Sequence, residues 1–154
     1  MKTISLWQPW ATLWVLQIKK YETRSWTCPA GMAHEPTAIH AAKKKVNLMA
    51  VCGYSWMQEI RSLLSAAGHN LDALPLGAVI GRCDGLKSTP ITGPNADRVE
   101  NMLGLWSADR YAWSPERMRP IEKPIPVKGM QRIFNIPDRV FSEPSQASAQ
   151  MSLF

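Results

Sequence analysis

Residues 4–26 constrain this chain more than all that follows. Ile4-Ser5-Leu6-Trp7-Gln8-Pro9-Trp10-Ala11 runs into a nearly all-apolar stretch and then into Lys19-Lys20-Tyr21-Glu22-Thr23-Arg24-Ser25-Trp26. Residues 3–7 read as a strand. Pro9 suits a helix start, where its missing N–H costs nothing. Trp10, Leu13, Trp14 and Ile18 mark one helical face, and Val15 and Leu16 make the helix apolar nearly all round. Such a helix is buried on several sides. Residues 20–26 then read as a strand with Lys20, Glu22, Arg24 and Trp26 on one face, and Lys19 in the turn before it. This combination suits a cleft for a flat, polar, partly anionic ligand.

Further strands are expected over 37–42, 78–83 with extension towards Leu86, 110–113, 121–127 and 131–136. Pro124 and Pro126 confine the 121–127 segment to a sheet edge or a covering position. Ser55 with Gln58 resembles a capping box, opening a helix with Trp56, Ile60, Leu63, Leu64 and Ala67 on its apolar face. Gly53 separates it from a short helical piece over 46–51. Residues 97–105 read as another short helix, and 89–94 as a turn-rich loop. The division expected is a domain over 1–138 and a flexible tail over 139–154.

With 154 residues, the chain suffices for one domain with a real core. A net charge of +6 and a pI near 9.5 favour polyanion partners. Seven tryptophans supply core, stacking surfaces for bases, or both. The three cysteines form no Cys-x-x-Cys pair, which argues against a thiolate zinc site and fits a reducing cytoplasm. No metal or other cofactor is expected. No stretch reaches the roughly 20 apolar residues of a membrane span.

Each charged motif carries two readings. Glu22 can accept hydrogen bonds from a base edge, Lys19 can meet a phosphate or polarise a carbonyl, and Arg24 can orient Glu22. Lys19, Glu22 and Arg24 are therefore the candidate catalytic trio, and Asp109 and Glu116 are more distant candidate acids. The plain alternative is a solvated charged strand. Lys43-Lys44-Lys45, after the strand ending Ile39-His40-Ala41-Ala42, is either a phosphate-contact patch or a solubilising loop. His40 is a base, a ligand, or a half-buried histidine satisfied by backbone. Gly-x-Ser-x-Gly and phosphate-binding glycine loops are absent from the sequence.

In order, Ser5-Leu6-Trp7-Gln8-Pro9-Trp10-Ala11, Lys19-x-x-Glu22-x-Arg24, Ile39-His40-Ala41-Ala42-Lys43, Gly77-x-Val79-Ile80-Gly81 and Glu122-Lys123-Pro124-Ile125-Pro126-Val127-Lys128-Gly129 make the chain resemble the ASCH domain family of the PUA-like superfamily. Gln17 stands where that signature has glycine. The resemblance implies an α+β fold, a small partly open β-barrel with flanking helices, and a cleft carrying the signature residues. It implies binding of RNA or a modified nucleoside or nucleotide. Trp7, Trp10 and Trp26 are candidate walls, Trp10 equally a core residue, and His40, Lys43, Lys44 and Lys128 are candidate nucleic-acid contacts. Some members are amidohydrolases on acetylated cytidine and others cut RNA. Those amidohydrolases have lysine at the position of Lys19 but threonine at that of Glu22.

The last five residues, Gln150-Met151-Ser152-Leu153-Phe154, resemble the pentapeptide that docks bacterial replication and repair proteins on the DNA sliding clamp. Leu153 and Phe154 would enter an apolar pocket, with Met151 beside them and Gln150 hydrogen-bonding at its rim. That resemblance implies a bacterial or phage source. A tail folded back on its own domain, or chance, is the alternative.

Overall fold

The computed structural model describes residues 1–142. The tail motif Gln150, Met151, Leu153 and Phe154 lies outside the described residues. Among the described residues, eight strands divide into two sheets, so the α+β class stands, with the strands split between sheets rather than closed into one barrel. The elements are β1 (Lys2–Leu6), α1 (Trp10–Val15), β2 (Glu22–Arg24), β3 (Thr37–Ala41), α2 (Leu48–Ala66), β4 (Ala78–Cys83), β5 (Gly85–Pro90), α3 (Arg98–Leu103), β6 (Tyr111–Glu116), β7 (Arg119–Pro126), β8 (Ile133–Asn135) and α4 (Arg139–Ser142). Two 3-10 turns, Ala30–His34 and Leu71–Ala73, connect them.

The larger sheet has the order β7-β4-β3-β1-β8 and the smaller β2-β6-β5. β1 and β3 are parallel, with Ser5 opposite His40; the ladders β3–β4, β4–β7 and β1–β8 are antiparallel. The proline-bearing segment is β7, at the sheet edge, as its missing N–H groups require. The expected extension of 78–83 towards Leu86 ends at Asp84. Beyond it, β5 belongs to the other sheet, pairing β6 from Gly85↔Glu116 to Pro90↔Tyr111. Thr89 and Pro90 therefore lie in a strand, not in a loop.

Helix α1 is the pivot. Ala11, Thr12, Leu13, Trp14 and Val15 are all buried. Its apolar circumference is divided between two cores. Ala11, Trp14 and Val15 join Ile4, Leu6, Ile39, Ile80, Leu86 and Trp113 between the sheets. Leu13 joins Ile60, Leu64 and Leu103 from α2 and α3. Gln8 fixes the helix start: its Oε1 accepts the Thr12 N–H at 3.0 Å and its Nε2 donates to the Pro75 carbonyl at 3.0 Å. A Cβ at Gly81 would lie 2.6 Å from both Val15 methyls. Glycine there lets α1 sit directly on β4.

Helix α2 contains a break at Gly53 (φ 81°, ψ 171°), a backbone conformation that glycine adopts without Cβ strain. The two helical pieces expected on either side of that glycine are therefore present and meet there at a kink. Ile60 and Leu64 are buried as expected, but Trp56 and Ala67 are exposed, because the second piece meets the body along a narrow line only. Behind the large sheet, Ala38, Val79, Phe134 and Ile136 form a third core, against which Val140 and Phe141 of α4 pack.

Truncating a fully buried tryptophan costs about 3–5 kcal/mol, against a total stability of about 5–15 kcal/mol for a domain. Trp14→Ala is expected to lower the unfolding free energy obtained from urea titration by an amount in that range. A change below about 1 kcal/mol would show that α1 is not the pivot.

Candidate functional site

The turn after α1 carries the chain into the cleft. Leu16 N–H bonds Thr12 O, Gln17 N–H bonds Trp14 O, and Lys19 N–H returns to Leu13 O at 3.0 Å. Gln17 takes φ 57°, the left-handed region in which glycine would be unstrained. Its side chain donates to Trp14 O at 2.8 Å, which offsets part of that strain. The glycine-free turn therefore keeps the left-handed shape, and Lys19 emerges at the cleft.

Lys19, Glu22 and Arg24 all line one cavity of about 1580 Å³. The period-2 alternation of β2 turns Glu22 and Arg24 to the same side. Lys19 Nζ is buried, with only 2% of the side chain exposed, and donates to Glu22 Oε2. Arg24 Nε lies 3.9 Å from Glu22 Oε1, and Arg24 Nη2 lies 3.4 Å from the Ser5 carbonyl oxygen. Burial lowers the Arg24 pKa, the Glu22 carboxylate opposes that shift, and the Arg110 charge adds to it. A guanidinium stays protonated under such pressure, so this group holds a fixed positive charge in the cleft. Lys20, expected on the same face, is exposed and precedes the strand. Its side chain is not in the lining.

Three tryptophans expected as walls line the cavity. Trp7 is 52% exposed. Trp10 is half-buried and faces the cavity. Trp26 meets Trp113 edge to face at 4.7 Å, with Arg24 Cζ 5.7 Å and Arg132 Cζ 6.0 Å from its ring. His40, Lys43 and Lys128 also line the cavity. Lys44 does not: its Nζ lies 5.7 Å from the Trp7 ring, so it borders the cleft through that indole. Asp109 and Glu116 are absent from the lining. Asp109 is exposed and accepts from the Ser107 hydroxyl, while Glu116 is exposed at the far end of β6.

Arg110, Gln131 and Arg132 also line the cavity, without a local sequence pattern that marks them for it. Arg110 arrives because β6 pairs β2, and its Nη2 donates to Thr23 O at 2.9 Å. Nothing local marks it. Among the described residues, the cavity thus gathers Lys19, Arg24, Lys43, Arg110, Lys128 and Arg132 against one carboxylate, Glu22. Arg24 Nε and Arg110 Nε are buried donors without a hydrogen-bond partner among the described residues. Among those residues, no three of His, Cys, Asp and Glu come together to hold a metal ion.

Glu100 also bears on the site, although no local sequence pattern marks it. It is 3% exposed, and its Oε1 accepts the Lys20 N–H. From α3 it pins the backbone between Lys19 and Glu22. Burial raises its pKa above 4.5, against the N–H groups of Lys20 and Tyr21 and the charge of Lys19, which lower it.

No family model matches the sequence, and no curated protein matches it. Among solved structures, the chain is similar to a mutant of ZmASCH from Zymomonas mobilis. The two are 14% identical, the match covers 96% of this chain and 94% of that one, and the TM-score is 0.48.

A raised native pKa means that the folded state favours protonated Glu100. Its contribution to stability is complete below the ordinary glutamate value and is lost as pH climbs through the native one. Glu100→Gln removes that titration. The melting temperature of the wild type relative to Glu100→Gln should therefore fall as pH rises from about 4.5. A gap that stays constant with pH would contradict the burial account.

Proposed function

We propose that the cleft binds nucleic acid or a nucleotide, with its base against the tryptophan walls and its phosphates against the cationic lining. One observation carries this reading. Among the described residues, six cationic side chains, three tryptophans and a single carboxylate share one cavity. Aromatic faces stack bases whatever their sequence, and lysine and arginine neutralise phosphate. Glu22, held by Lys19 and Arg24, presents an acceptor to the edge of a base. Phosphate oxygens would also find charged donors in the Arg24 and Arg110 guanidinium groups that line the cavity. RNA or a modified nucleoside is the ligand suggested by the sequence resemblance.

Hydrolysis through Lys19 and Glu22 is the second reading, favoured by the buried amine–carboxylate contact in the cavity. Turnover of N-acylated cytidine or labelled RNA that disappears in Lys19→Ala carries it. Intact substrate rules it out.

The tail supplies a tether to a bacterial sliding clamp in this proposal. Support comes from the sequence Gln150-Met151-Ser152-Leu153-Phe154 alone. A chain lacking residues 150–154 should no longer be captured by immobilised clamp, and undiminished capture would refute tail docking.

The binding reading has a direct test in salt dependence. For single strands, each phosphate that a cation neutralises adds about 0.7 to the steepness of log K against log salt. Lys43→Glu combined with Lys44→Glu should weaken binding of a fluorescent oligonucleotide and flatten that slope by about 1–2. An unchanged slope would exclude the lysine patch from the interface.

A further inference from the structure

Binding alone does not account for the direct contact between Ser5 and His40. The two face each other across the parallel β1–β3 ladder, and both line the cavity. Ser5 Oγ lies 2.9 Å from His40 Nδ1, and His40 Nε2 lies 2.7 Å from the Val127 carbonyl oxygen. A carbonyl oxygen only accepts. Neutral His40 therefore carries its proton on Nε2 and leaves the Nδ1 lone pair towards Ser5, whose hydroxyl donates to it.

The ring is held from several sides. His40 is 1% exposed, and Phe134 meets it edge to face at 5.9 Å. A Cβ at Gly129 would lie 2.8 Å from Nδ1, so only glycine lets that segment lie across the imidazole. A hydroxyl, a base that accepts its proton, and a group that fixes the base's tautomer are the parts of an activated nucleophile. Arg24 Nη2, 3.4 Å from the Ser5 carbonyl oxygen, puts a fixed positive charge beside it.

We propose that Ser5 is an acyl-accepting nucleophile with His40 as its general base, acting on a carboxylic ester carried by an anionic group. Ser5 Oγ bonds to the ester carbonyl carbon as Nδ1 takes the hydroxyl proton. The resulting imidazolium keeps its Nε2–H on Val127 O. The tetrahedral oxyanion collapses, the C–O bond to the alcohol breaks, and Nδ1 returns the proton to the departing oxygen. Water then attacks the acyl-serine with His40 again as base, releasing the carboxylic acid and restoring the hydroxyl. Arg24, whose guanidinium lies beside the Ser5 backbone, would supply positive charge to the oxyanion, and the other cations of the cavity would hold the anionic carrier. The nucleophile's reactivity is independent of whether the carrier is a nucleotide.

The test is active-site labelling of the full chain with a fluorophosphonate, followed by peptide mass mapping. One adduct on Ser5 is expected in the native wild type. Removing a general base costs about 100-fold or more, so labelling of Ser5 should slow by that factor in His40→Gln. If that variant does not fold by circular dichroism, Gly129→Ala, which crowds the ring and keeps every polar group, should show slowed labelling instead. Absence of a Ser5 adduct in the native wild type overturns the proposal, as does an undiminished rate in the folded variant. Either result leaves oligonucleotide binding untouched and so leaves the proposed binding function standing.

Discussion

Burial of α1 on nearly every side is the constraint from which the rest of the structure follows. Six residues cannot hold a helix in water unaided. This helix exists because Trp14 and Val15 enter the core between the sheets while Leu13 enters the core shared with α2 and α3. Its position is fixed against β4 by the bare backbone of Gly81 and at its start by Gln8. The turn that ends it then has little freedom, and Lys19 is delivered where β2 begins. A shift of α1 would move the amine and the carboxylate it meets together.

The electrostatics of the cleft follow from that delivery. Lys19 is almost wholly removed from water, which is costly for an ammonium unless a counter-charge is at hand. Glu22 supplies it. With its one carboxylate engaged in this way, the cavity still contains Arg24, Arg110, Arg132, Lys43 and Lys128. Such a surface repels cations and recruits anions, and its indole walls favour anions with a flat apolar face. Glu100 adds a second buried carboxylate outside the cavity, on the backbone at Lys20, so both sides of the turn are held by acids.

What the sequence made legible was local. The period-2 pattern put Glu22 and Arg24 on one side of a strand, the all-round apolar character of residues 10–16 called for a buried helix, and the prolines of 121–127 called for a sheet edge. All three follow from neighbouring residues. The break at Asp84 was not legible, because 78–86 is continuously extended and only the partner strands change. Arg110 and Arg132 come to the site through long-range pairing that no local pattern encodes. Ser5 and His40 were visible singly, but their contact depends on the parallel register of β1 and β3. Trp56 misled because a helical apolar stripe does not say how much of it finds a partner.

The proposed binding requires a flat anion seated between Trp7, Trp10 and Trp26. The most direct measurement is the shift of the tryptophan indole N–H resonances of nitrogen-15-labelled protein on titration with a nucleoside monophosphate. Saturable shifts are expected at Trp7, Trp10 and Trp26, with Trp56, which lies outside the cavity, unmoved. Shifts confined to Trp56, or no saturable shift at the three cavity indoles, would contradict it.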